Sequence, residues 1–270
     1  MLCYTQVEHT LLDGGPGLFE DCVDAAYLLT MPNSTRDWSA EYQKHRPYSS
    51  LIVQYNEGFK HCHKPHLFAQ RSDSDLADAL GNVFRTALAR NQTRILVLED
   101  DFTFDHYDTN DIQNISTFVQ SRKMDVYHLG TFACIGVPLV EEPHVRVIWM
   151  VAATGVIYTS PRYMQEYLDA MEKKKHVVTD EFWNDPRYVK YHYKKPICFQ
   201  PIPLTENRLT WNSDVYAKFL SFYELDTSHK NWPHVFNTCI ALSVIVIVVV
   251  PALILFIIGV YIVRYFRRRQ

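Results

Sequence analysis

The chain lacks the compositional bias that marks disordered, collagen-like or long coiled-coil proteins. Its 270 residues are 47% hydrophobic and 21% charged, enough for one large domain or two modest ones. An excess of base is also missing. Of the 27 Lys and Arg, four (Arg264, Arg267, Arg268 and Arg269) follow Val235, where Asp and Glu are absent, so residues 1–234 set 23 bases against 30 acids. A domain that acidic offers no basic face to phosphates, which excludes nucleic-acid binding through bulk electrostatics. No G-x-x-x-x-G-K-S/T phosphate loop occurs. The six cysteines have no repeating spacing, so neither a zinc nor a disulfide framework is expected, and a reducing compartment is the default. Met1 to Gly17 shows neither a basic start nor an apolar run, so no signal peptide is expected.

One long apolar run is present. Ile240 to Val263 contains no charged residue, and Ser243 is its only strongly polar side chain. As a helix it would measure about 36 Å, against a bilayer core of about 30 Å. Pro251 is tolerated in such a span where neighbours re-satisfy the backbone. Trp232 and His234 at one edge, and Tyr261, Tyr265 and the arginines at the other, read as interfacial anchors. The expected organisation is a domain over 1–220, a linker over 221–238, a transmembrane helix over 239–263 and a basic tail over 264–270.

Within the domain, strands and helices alternate. Ala26 to Met31, Ser50 to Tyr55, Arg94 to Leu98, Val126 to Gly130 and Trp149 to Thr159 read as strands. Asp75 to Arg90 has a helical apolar period, with Ser72 or Asp73 as a capping candidate, and Pro161 to Lys173 follows Ser160 as N-cap. This order predicts an α/β fold with a parallel or mixed sheet covered on both faces. Ligands of such sheets bind beyond the carboxyl ends of the strands, where Glu99, Asp100 and Asp101 stand.

Three adjacent carboxylates at the end of a buried strand repel one another in a low dielectric unless a positive charge compensates them. A divalent cation with oxygen ligands, Mn²⁺ or Mg²⁺, itself bound to phosphates, is the economical compensator. A solvated acidic loop is the plain alternative. His61-Cys62-His63-Lys64-Pro65-His66 fits no common zinc spacing and reads as a polar loop, and His192 as a packed or surface residue.

Arg94-Ile95-Leu96-Val97-Leu98-Glu99-Asp100-Asp101 resembles the strand and acidic motif of the glycosyltransferases that include lipopolysaccharide galactosyltransferases and the procollagen galactosyltransferase domain. Other segments match in order: Asp24 to Thr30 with Arg36, Leu76 to Arg90, Asp125 to Gly130, Thr154 to Pro161, and Val178 to Trp183. Together they cover roughly residues 24–205. The late Gln-Pro-Ser pattern survives only as Gln200-Pro201-Ile202. The resemblance implies a GT-A-like mixed sheet and an inverting, metal-dependent hexose transfer from a nucleotide-diphosphate sugar to a glycan or glycoprotein acceptor. It places Asp101 on the metal with Glu99 as a weaker ligand, Asp100 on the ribose or sugar, and Thr30 and Arg36 at the nucleotide. It makes Asp180 the general base with Glu181 as alternate, although Asp180 at the start of a helix also suits a cap. Two alternatives stay open: a metal-dependent phosphoryl or nucleotidyl transferase, and a degenerate transferase kept as a membrane-bound interaction protein.

Topology divides the signals. The arginine tail and three sequons (Asn33-Ser34-Thr35, Asn91-Gln92-Thr93 and Asn114-Ile115-Ser116) favour a lumenal domain. The missing export signal favours a tail anchor with the domain in the cytosol, and the cytosolic side is the expectation.

Overall fold

Apolar runs become the middle of a nine-stranded mixed sheet. The computed structural model describes residues 3–10, 15–65, 67–131, 133–151, 153–173, 177, 179–200, 218, 221–225 and 229–267, with backbone alone at 180, 181, 260, 261 and 263–267. The strands are β1 (Tyr4–Thr10), β2 (Ala25–Thr30), β3 (Ser50–Asn56), β4 (Ile95–Glu99), β6 (Val126–Thr131), β7 (Cys134–Pro138), β8 (His144–Met150), β9 (Ala153–Tyr158) and β10 (Lys190–Tyr193). Their order is β1-β3-β2-β4-β9-β6-β10-β8-β7. β3, β2 and β4 run parallel, and β9 runs antiparallel to both β4 and β6. A separate ribbon pairs β5 (Thr103–Phe104) with β11 (Cys198–Phe199).

Every residue of β2, β6 and β9 is buried, as in strands covered on both faces. On one face α2 (Ser72–Ala89), α4 (Pro161–Glu172) and α5 (Thr179–Trp183) cover Tyr27, Val97 and Tyr158 with Val83, Phe84, Tyr163 and Trp183. On the other, α1 (Trp38–His45) and α3 (Thr109–Ser121) cover Leu28, Leu96 and Leu98 with Tyr42, Ile115 and Phe118. Alternation along β4 therefore assigns Ile95 and Val97 to the first face and Leu96 and Leu98 to the second.

Ser160 caps α4 as expected, its hydroxyl accepting from the Tyr163 amide at 3.2 Å. α2 begins at Ser72 with Arg71 in the cap position, so neither Ser72 nor Asp73 caps it. The single strand expected over 149–159 is two. β8 stops at Met150, whose N–H and C=O both bond to the Asn184 side chain, and β9 starts at Ala153 between different neighbours.

Two further expectations are corrected. Cys3 and Cys62 form a disulfide with their Cα atoms 5.5 Å apart, joining β1 to the loop after β3, whereas the sequence pattern promised no bridge. The long C-terminal helix also begins inside the expected linker. α6 (Trp232–Val244) lies along β7 and buries Trp232, Val235, Phe236 and Ile240, so Trp232 packs against Phe199 in the domain instead of anchoring at a bilayer edge. A π-helical turn over Ile245–Val249 leads into α7 (Val250–Arg267), placing the irregularity just ahead of Pro251, where the backbone ladder loses a donor.

Trp232–Gly259 is long and apolar enough to cross a membrane, with a mean hydropathy of 3.3. Its outer part is bare, with Leu253 to Ile258 48–69% exposed, unlike a core helix of a soluble domain. Beyond Ser243, the last residue of the helix buried among the described side chains, the 20 residues Val244 to Val263 extend about 30 Å, still the thickness of a bilayer core.

Candidate functional site

β2 and β4 are parallel neighbours in register, Leu29 beside Glu99, so their carboxyl ends lie together. Thr30, the last residue of β2, donates its hydroxyl to Asp100 Oδ2 at 2.7 Å. The chain leaves β2 through an exposed turn and returns with Arg36, whose guanidinium pairs with Asp100 Oδ1 and lies 3.0 Å from Asp101 Oδ2. Four residues named from the sequence thus meet in one cluster: Thr30, Arg36, Asp100 and Asp101.

The charges are only partly balanced. The Arg36 side chain is 36% exposed, whereas those of Asp100 and Asp101 are 10% and 6% exposed. Burial pushes the Asp101 carboxyl above the usual carboxylate range and the charge of Asp100 adds to this, while Arg36 and a Gln200 hydrogen bond pull the other way. Burial alone would lower the Arg36 guanidinium, but Asp101, Asp100 and Glu99 outweigh it and raise it. Asp101 Oδ2 accepts from Gln200 Nε2 at 2.9 Å. Asp101 Oδ1 is buried and has no hydrogen-bond partner among the described residues. Such an atom costs about 1–3 kcal/mol unless something fills its coordination.

Gln200 is the site residue that sequence reasoning left unassigned. It arrives because β11 pairs with β5, immediately beyond the acidic motif, although 99 positions separate it from Asp101. The β11 crossing also explains two glycines. A Cβ on Gly130 would lie 1.7 Å from the Cys198 carbonyl oxygen, and Gly155, at φ +63°, approaches the Cys198 sulfur. Only glycine tolerates both that backbone and that proximity.

Glu99 stands apart from the hydrogen-bonded cluster, although its charge still reaches Arg36. It continues the face of Ile95 and Val97 and lines a narrow cleft with Thr154, Gly155, Thr179 and Trp183. α5 forms part of this wall, so the backbone that carries Asp180 and Glu181 borders the same cleft as Glu99. The helix starts at Thr179, one residue before Asp180. The side chains of Asp180 and Glu181 lie outside the described residues.

His192 and the described core of the His61–His66 segment are built into the fold. His192 is fully buried, its ring tilted over Phe236 at 4.5 Å, and burial lowers its pKa to about 4. Cys62 of the His61–His66 segment is in the disulfide, and Lys64 is buried, donating to Asn56 Oδ1 at 2.6 Å and paired with Asp75. At the domain surface His229 Nε2 lies 2.9 Å from Asp105 Oδ2, fastening the segment ahead of α6 to the loop after β5. That hydrogen bond holds the Asp105 carboxyl below its usual range.

No protein-family model and no curated protein matches this chain. Among solved structures, A197 from STIV is similar at 9% identity and a TM-score of 0.37, over 65% of this chain and 84% of that one. A UTP-bound UGPase from Acinetobacter baumannii aligns at 12% identity and a TM-score of 0.37, over 67% and 73%. A UDP-glucose pyrophosphorylase complexed with UDP-glucose aligns at 13% identity and a TM-score of 0.30, over 45% of this chain and 54% of that one. Overlaps this partial identify no activity, and the chemistry of the site rests on its own residues.

Proposed function

We propose that the chain is a membrane-anchored glycosyltransferase that binds a nucleotide-diphosphate sugar at the carboxyl ends of β2 and β4 and transfers its hexose to a glycan or glycoprotein. The observation that carries this is Asp101 Oδ1, a buried carboxylate oxygen without a hydrogen-bond partner among the described residues, beside a second buried carboxylate and Arg36. The donor set is all oxygen, which suits Mn²⁺ or Mg²⁺. Asp101 would hold the ion, with Glu99 as the weaker ligand. Bound there, the ion would neutralise charge developing on the departing diphosphate.

The chain's own groups supply the rest. Arg36, held by both aspartates, would meet the nucleotide's phosphates as a cation. Asp100, oriented by Thr30 and Arg36, presents a carboxylate to ribose or sugar hydroxyls. Thr154 and Thr179 line the narrow cleft beside Glu99. Inverting transfer needs a base to take the acceptor hydroxyl proton, and Asp180 on α5 is assigned that role, with Glu181 as alternate.

The test is to incubate the detergent-solubilised full chain with Mn²⁺ and a panel of UDP, GDP and CMP sugars. Slow hydrolysis of one donor supports transfer. Donor binding without turnover would instead identify a non-catalytic binding protein, and turnover of nucleoside triphosphates a nucleotidyl transferase.

A further inference from the structure

The disulfide, the arginine tail and one asparagine bear on the same question. Cys3 and Cys62 are both half-buried, near enough to the surface for thiol reductants to reach, and their bridge fastens β1 across 59 positions. Bridges of this kind persist in oxidising compartments and are rare where glutathione and thioredoxin keep thiols reduced. At the far end of the apolar helix stand Arg264, Arg267, Arg268 and Arg269 with no acid among them, the pattern of a cytoplasmic flank. Both observations put the domain on the other side of the membrane, opposite to the cytosolic expectation from the sequence.

The fold then separates the three sequons. Asn114 lies within α3, where its amide donates to the Tyr193 hydroxyl at 3.4 Å and its sequon partner Ser116 is buried. Asn33 is exposed but stands between Thr30 and Arg36, on the lip of the acidic cluster. Asn91 is exposed just beyond α2 in a left-handed turn, φ +56°, and its side-chain amide makes no hydrogen bond among the described residues. It precedes β4, so it lies at the end of the sheet away from Asp100 and Asp101.

We propose that the domain stands in an oxidising, extracytoplasmic compartment and carries an N-linked glycan on Asn91, turned away from the acidic site. The modification is an ordinary group transfer. Asn91 Nδ2 bonds the anomeric carbon of a lipid-diphosphate-linked oligosaccharide, the bond from that carbon to the diphosphate oxygen breaks, and the amide gives up one proton. It is independent of which sugar, if any, the domain itself transfers.

The full chain is expressed in a eukaryotic cell and sealed microsomes are prepared. The domain is expected to resist added protease until detergent opens the vesicles. Denaturing maleimide–polyethylene glycol treatment is expected to label four thiols before reduction and six after it, since four cysteines are free. Endoglycosidase is expected to shift the wild-type band but not that of Asn91→Gln, while Asn114→Gln shifts like wild type. Digestion of the domain in sealed vesicles, or six labelled thiols before reduction, would overturn the compartment. An endoglycosidase shift that persists in full in Asn91→Gln would overturn the site.

Discussion

Arg36→Met removes the one described cation that faces both buried aspartates. Breaking a buried pair by deleting one partner costs about 3–5 kcal/mol, because the remaining charge stays buried and unpaired. Arg36 is about one-third exposed, and solvent screening reduces its share, so a loss of about 2–3 kcal/mol is expected. For a domain of this size that lowers the melting temperature by roughly 4–12 °C. The sign of the pH dependence follows from the acids. Without Arg36 the folded-state pKa of Asp101 rises further, so the penalty is present at neutral pH and fades as pH falls through the folded value. The assay is thermal unfolding of the detergent-solubilised chain, with chelator and with millimolar Mn²⁺, at pH 7.5 and pH 5. Mn²⁺ should stabilise the variant more than wild type, since the ion takes over the missing compensation; saturation at about 100 times its dissociation constant contributes about 2.7 kcal/mol. A melting loss that Mn²⁺ leaves untouched and that is equally large at pH 5 would refute the electrostatic account of the cluster.

Other outcomes follow from named residues. Asp180→Asn should lower turnover roughly 10²–10⁴-fold with donor affinity nearly unchanged, whereas retention of most of the rate in steady-state kinetics would move the base to Glu181 or elsewhere. Gly155→Ala should cost roughly 2–4 kcal/mol in denaturant unfolding, because its backbone is left-handed and the new Cβ would stand 2.7 Å from the Cys198 sulfur. His144 and His192 titrate at about 4 in the fold, burial being the leading cause in both, against 6.5 for the ordinary residue. The unfolded chain takes up these protons first, so stability is complete above pH 6.5 and falls as pH drops toward 4, by roughly 3 kcal/mol for each histidine. Urea midpoints that stay level across that window would contradict their burial as neutral rings.

How far the sequence reveals this molecule depends on how each segment is buried. β2 and β4 are nearly continuous apolar runs and are legible directly, β6 (Val-Tyr-His-Leu-Gly-Thr) less so because His128 interrupts it, and α2 and α4 are legible from their period. β1 (Tyr-Thr-Gln-Val-Glu-His-Thr) is an edge strand, mostly exposed, and nothing in its composition announces pairing with β3. β10 (Lys-Tyr-His-Tyr) looks polar yet is wholly buried, its Lys190 ammonium reaching the Asp185 carbonyl at 3.3 Å. α3 escapes because Asn, Asp, Ser and Thr dilute its helical signal. Its capping box uses Asp108 and Asp111, and only Ile112, Ile115, Phe118 and Val119 betray the buried face. At the acidic edge, Thr30, Asp100 and Asp101 are linked by the adjacency of two parallel strands, which an α/β pattern implies. Gln200 depends on the short β5–β11 ribbon, whose two-residue strands leave no periodicity to detect. Trp232 reads equally well as membrane anchor or core residue, and only the packing of α6 against β7 decides for the core.

Calorimetric titration of the donor that most raises the melting temperature, with Mn²⁺ and then with chelator, into wild type and Asp101→Asn tests the central claim most directly. Wild type should bind the nucleotide sugar only with Mn²⁺. Asp101→Asn should lose that binding, yet without metal it should melt at or above the wild-type temperature, because a buried carboxylate whose ionisation the fold disfavours has become neutral. Donor affinity that is unchanged in Asp101→Asn, or indifferent to chelator in wild type, would contradict the account.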